Sequence, residues 1–151
     1  KLLEARGATV VMTRSGDQEI GLEQRTSKAN SKKANLFVSI HSNAAESSAL
    51  SGTMTFVHSG SSANTRIEES NRLAKNIQSE LVRGLGLKDM GVRYADFAVL
   101  RTSSMPAVLC ELAFISNAAE EKKMNTDSFR NKAAEAIVKG IGLYFSEKRN
   151  A

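Results

Sequence analysis

The chain has 151 residues, 41% of them hydrophobic and 25% charged, and 21 Lys plus Arg against 16 Asp plus Glu leave a formal charge of +5. Ten Gly and one Pro are too few for a collagen or a low-complexity chain, and the apolar fraction is too high for disorder. No uncharged apolar run nears the roughly 20 residues of a membrane-crossing helix, and a single Cys cannot form an internal disulfide.

Lys1 to Arg6 reads as the end of a helix with Gly7 as its C′ residue, and with no N-cap before it, residues upstream are expected to be missing. Ala8 to Thr13 is strand-like. Arg14 to Gly21 is a polar loop, and Leu22 to Ala34 is predicted helical. Leu36 to His41 is a short apolar run with the look of a buried strand, and after the polar loop Ser42 to Gly52 a second strand is predicted over Thr53 to His58. Ile67, Ala74, Ile77, Leu81 and Leu85 recur at helical spacing, so Thr65 to Leu85 forms an amphipathic helix. Phe97 to Leu100 and Ala107 to Leu112 read as two further strands. A last helix runs from about Ser128, capped by Asp127, with Gly140 on its apolar face to permit close approach to a sheet. Strands alternating with helices predict one α/β domain over residues 1–151, built on a mixed, largely parallel sheet with helices on both faces.

The cations form small separate groups, Lys28/Lys32/Lys33, Lys122/Lys123 and Lys148/Arg149, with no interleaved aromatics, so solvated helix faces are expected and nucleic acid is not an expected partner. Two residues stand out chemically. His41 ends an apolar strand, at the sheet edge where α/β proteins bind ligands, although a lone His after a strand is more often a hydrogen-bonded structural residue. Glu111 sits inside the apolar run 107–112, where a carboxylate needs an ion-pair partner, a metal or a retained proton. Together they suit a hydrolytic site in which zinc polarises a carbonyl and a carboxylate moves protons. A catalytic zinc has three protein ligands, however, and no clear third is spaced for it; His58 is open as a ligand or as a loop residue. Cys110, next to Glu111, would point to the opposite sheet face and pack in the core.

The segments TRSGDQEIGLEQRTSKAN (13–30), NLFVSIHSNA (35–44), LKDMGVRYADFAVLR (87–101), MPAVLCELAFISN (105–117) and AAEAIVKGIGLYF (133–145), with Gly52-Thr53 between them, resemble in order the catalytic domain of zinc-dependent bacterial N-acetylmuramoyl-L-alanine amidases. The motifs S-I-H-x-N and P-A-V-L-x-E-x-x-F-I-S-N carry the resemblance. It implies a secreted or cell-wall-associated, monomeric peptidoglycan hydrolase that cuts between N-acetylmuramic acid and the L-alanine of the stem peptide. It also implies zinc as cofactor, His41 as a zinc ligand and Glu111 as the catalytic carboxylate; Asn43 and Arg101 are candidates for substrate contact, with pairing to a buried acid equally open to Arg101. The family's other ligands, a His in a D-P-G-H-G-G strand end and a Glu shortly after it, have no counterpart in the 151 residues and are expected upstream of Lys1, with the first strand and the start of the first helix. A metal-free cell-wall-binding module of the same fold is the alternative.

Overall fold

A computed structural model describes residues 1–60 and 65–149. Helix α1 (Leu22–Ser31) precedes strand β1 (Phe37–Asn43), and β2 (Thr53–His58) leads into α2 (Thr65–Leu85). Then come β3 (Asp89–Ala95), the short α3 (Ala98–Arg101), β4 (Ala107–Phe114), α4 (Ala118–Met124) and α5 (Asp127–Arg149). The four strands are ordered β1-β4-β2-β3; β1/β4 and β2/β3 pair parallel, β2/β4 antiparallel. The sheet is therefore mixed with parallel pairings in the majority, as the alternation of elements predicts. Among the described residues no helix is long and apolar enough to cross a membrane.

Side-chain alternation divides each strand between two cores. On one face Val57, Val108 and Cys110 pack against Leu73 and Ile77 of α2 and Ile141 of α5. On the other, Phe37, Ala107 and Leu109 pack against Ala29 of α1 and Val99 and Leu100 of α3. Burying a side chain such as Leu73 or Ile77 fully is worth about 1.5–3 kcal/mol relative to leaving it exposed, so α2 is held by its apolar stripe. Polar contacts set its position: Ser70 Oγ accepts from Ala107 N at 3.0 Å, and buried Gln78 donates to Thr53 O at 2.9 Å and to Asp89 Oδ1 at 2.7 Å.

Several expectations are corrected. Ala8 to Thr13 forms no strand: β1 pairs only with β4 among the described residues, and no neighbour supplies the ladder a strand requires. The run before it is a 3-10 turn over Glu4–Arg6, although Gly7 does cap it in the left-handed region at φ 81°. Helix α1 stops at Ser31, short of Ala34, where Lys33 takes φ 49°. Phe97 to Leu100 is not a strand; Leu100 and Arg101 N–H groups both bond Phe97 O, which winds the apolar run into α3 and buries Val99 and Leu100. The strand there is β3, whose polar sequence DMGVRYA gives no apolar run because it lies at the sheet edge. Helix α5 is capped by Thr126, whose Oγ1 accepts from Phe129 N at 3.2 Å, while Asp127 ion-pairs with Arg130 at 2.6 Å.

Gly140 does permit a close approach, but to α2 and not to the sheet. A Cβ there would lie 2.6 Å from Ile77 Cα and 2.8 Å from Ile77 N, both backbone-fixed atoms. Gly140→Ala is accordingly expected to destabilise the fold by about 1–3 kcal/mol, despite the better helix propensity of Ala, because α2 and α5 must separate. Thermal unfolding checks it: a melting temperature unchanged or raised would contradict this packing.

Candidate active site

Strand β1 carries Ser39, His41 and Asn43 at alternate positions, so the three share one face. Its parallel register on β4 sets His41 opposite Glu111, and the antiparallel register of β2 sets Met54 opposite Glu111 from the other side. Since Ala107 and Leu109 face α1 and α3, Glu111 follows them onto that face, beyond the edge of the core they form. The pairing shifts by one residue between His41 and Asn43, where β4 supplies an extra residue after Glu111. Two strands distant in sequence thus deliver an imidazole and a carboxyl to one place on the sheet.

Glu111 is half-buried, and its Oε2 is shielded from solvent with no hydrogen-bond partner among the described residues. Burial alone pushes its pKa up to about 7. Of the three outcomes open to a carboxylate in an apolar run, the ion pair is not formed among the described residues, and a proton retained to near neutrality is what the fold supports. His41 moves the other way: burial first, then the charges of Arg25 and Arg14, lower its pKa from the usual 6.5. It is therefore a neutral imidazole near pH 7, the form with a lone pair to donate, and its Nε2 lies 3.0 Å from Ser39 Oγ.

Asn43 is brought to the same cluster. Its Nδ2 lies 3.9 Å from Met54 Sδ, and its Oδ1 accepts from Ala44 N at 2.9 Å. Arg101 and His58 are elsewhere. Because β2 runs antiparallel to β4, His58 is four residues from Met54 towards the start of β4, about 13 Å along the strand from the Glu111 position. There Asp96 Oδ1 lies 3.5 Å from His58 Nδ1 and 2.7 Å from Arg101 Nη1. Cys110, as alternation predicts, is fully buried on the opposite face, where burial raises its thiol to about 12.

A supporting carboxylate escaped sequence reasoning. Buried Glu120 accepts from Gly52 N at 2.8 Å through Oε1 and from Phe114 N at 2.7 Å through Oε2. It ties the end of β4, the strand that carries Glu111, to the start of β2, the neighbour that sets Met54 opposite it. The signal was the spacing Asn117-x-x-Glu120, since Asn117 caps α4 and Glu120 falls in its first turn.

For a divalent metal the donors present fit in kind: a lone-pair imidazole beside a carboxyl with an unpartnered buried oxygen. They do not fit in number, because no group of three or more His, Cys, Asp or Glu able to hold a metal is assembled among the described residues.

Residues 1–142 match the family described as N-acetylmuramoyl-L-alanine amidase. The chain is 44% identical over 145 residues to YqiI of Bacillus subtilis, covering 96% of this chain and 68% of that protein. It is 42% identical over 143 residues to the N-acetylmuramoyl-L-alanine amidase LytC of the same organism, covering 95% of this chain but only 28% of LytC. Its structure is similar to the catalytic domain of the amidase CwlV from Bacillus (Paenibacillus) polymyxa var. colistinus, with a TM-score of 0.87 and 39% identity over 96% of this chain and 77% of that one.

Proposed function

The chain belongs to the N-acetylmuramoyl-L-alanine amidase family, and from that premise we propose that it forms most of the catalytic domain of a peptidoglycan hydrolase, with His41 and Glu111 as its share of the active centre. The reaction is hydrolysis of the amide between the lactyl group of N-acetylmuramic acid and the L-alanine of the stem peptide. One observation carries the reading: the β1/β4 register sets a neutral imidazole opposite a carboxyl group whose buried oxygen has no partner. A structural ion pair would have satisfied that oxygen, and a wall-binding module would have no use for the unpaired carboxyl.

His41 would be one zinc ligand, and residues outside the 151 would complete the set, since the solved CwlV domain is longer than the part this chain matches. When bound, zinc supplies Lewis acidity to the scissile carbonyl and to the attacking water. Glu111 does the proton work. Its carboxylate takes a proton from the water as the oxygen attacks the lactyl carbonyl carbon. It then gives that proton to the alanine nitrogen as the C–N bond breaks, leaving a lactyl carboxylate and a free amine. A pKa near 7 suits both halves, because at neutral pH the group is neither wholly a base nor wholly an acid. Asn43, on the same face of β1 as His41, would hydrogen-bond the substrate. Activity on peptidoglycan puts the site of action at the bacterial cell wall.

Metal dependence is tested on the full-length protein with purified peptidoglycan. Chelation should abolish release of new peptide amino termini, and stoichiometric zinc should restore it. Full activity in the chelated protein would remove zinc from the proposal.

A further inference from the structure

Glu111 is the last residue of β4 with a regular partner on both sides. The ladder with β2 ends at the Met54/Glu111 pair, and the ladder with β1 slips by one residue just beyond His41/Glu111. A backbone that leaves two ladders at once must find other partners for its N–H and C=O groups, and the side chain it carries is aimed only as firmly as that backbone is held.

One side chain holds it from two directions. Glu120 accepts from Phe114 N, three residues past Glu111, on Oε2 at 2.7 Å, and from Gly52 N on Oε1 at 2.8 Å. Gly52 is followed by the fully buried Thr53, whose Oγ1 donates to the Glu111 carbonyl oxygen at 3.0 Å. The far side of Gly52 is closed as well, since a Cβ there would lie 2.6 Å from Lys88 O. The main chain of Glu111 is thus tied to Glu120 twice, along β4 itself and through the start of β2.

Glu120 is not spent on its own helix. A Glu at the third position of a helix ordinarily returns to the N–H of the capping residue, but Asn117 N already bonds Phe114 O at 3.1 Å, and Asn117 Oδ1 caps the N–H groups of Ala119 and Glu120. A carboxyl group only 4% exposed is costly to keep. Its two oxygens serve donors on two different strands, which Gln cannot do, because it offers one acceptor and turns an NH2 group on the other donor. Resting on the amidase reading above, we propose that Glu120 is a positioning residue of the reaction: it replaces the missing rung between β2 and β4 and so holds the Glu111 carboxyl where proton transfer requires it.

The full-length, zinc-loaded protein is assayed on a soluble N-acetylmuramoyl peptide. Glu120→Gln should lower kcat by about tenfold or more, since misplacing a reacting group by about 1 Å can cost about 10²-fold, while KM and zinc content stay within about twofold. Hydrogen exchange shows the cause: the Gly52 or Phe114 amide proton should exchange about tenfold or more faster in the variant, with the rest of the sheet unchanged. Gly140→Ala separates positioning from stability, because it weakens the α2/α5 contact on the opposite face of the sheet. At a temperature where both variants are folded it should keep kcat within about twofold. An unchanged kcat in Glu120→Gln, a loss confined to KM or to zinc content, unchanged exchange at both amides, or an equal loss of kcat in Gly140→Ala would overturn the proposal. Should Glu120→Gln fail to fold, Thr53→Val carries the test by removing the hydroxyl bond to Glu111 O: kcat must fall about threefold or more at unchanged KM, and an unchanged kcat counts against it. Failure of the amidase reading shows differently, as no hydrolysis by the unmodified protein whatever the exchange rates.

Discussion

Glu111→Gln should lower turnover on peptidoglycan by roughly 10²-fold or more while making the metal-free protein more stable above neutral pH. The two effects share a cause. Gln has nearly the shape of Glu but can neither take a proton from water nor return one to the departing amine, and a positioned acid–base group contributes about 10²–10⁴-fold. For stability the sign follows from burial, which raises the carboxyl from its ordinary 4.5 to about 7 in the folded chain. Between those values the native state holds a proton that the unfolded state has released. Stability from this group is thus fully present below about pH 4.5, falls as pH rises, and is gone beyond about pH 7. A neutral Gln escapes that loss, so the variant should exceed the parent by about 1–3 kcal/mol at pH 8 and match it near pH 4. Denaturant unfolding at the two pH values reads this directly. A variant less stable at pH 8 would mean that the carboxylate has a partner, and unchanged turnover would remove Glu111 from the chemistry.

His41→Ala in the full-length protein should lower zinc affinity and turnover together. An outer-shell hydrogen-bonding partner of a metal ligand already costs about 10–100-fold when removed, and the loss of a ligand itself should cost at least that. The fold should survive, because His41 is only partly buried and its one described side-chain bond is to Ser39 on the same strand. Elemental analysis after dialysis separates the effects: zinc retained at full stoichiometry with activity lost would make His41 a substrate or positioning group.

The two strands that carry this pair were legible in the sequence because both are apolar runs of strand length, and Glu111 was conspicuous as a charge inside one of them. The juxtaposition was not legible as geometry. It depends on β4 entering the sheet beside β1 and ahead of β2, and nothing local to 37–43 or 107–114 encodes that order. Helix α2 was readable to the residue because its stripe is regular and buried throughout. Edge strand β3 was not, since its backbone pairing with β2 makes it a strand while its side chains remain largely exposed. Residues Phe97 to Leu100 show the converse error, four apolar residues whose period is too short to tell a strand from a turn of helix. The role of Glu120 lies in contacts across the fold, which no pattern of residue types displays.

Cleavage of purified peptidoglycan by the full-length protein in ¹⁸O-water, followed by mass spectrometry of the products, tests the central claim most directly. The proposal predicts one ¹⁸O in the lactyl carboxylate of N-acetylmuramic acid, a free amino group on L-alanine, and neither product from the Glu111→Gln protein at more than about a hundredth of the rate. Label in a sugar reducing end or at a peptide bond within the stem, or no soluble product at all, would contradict it.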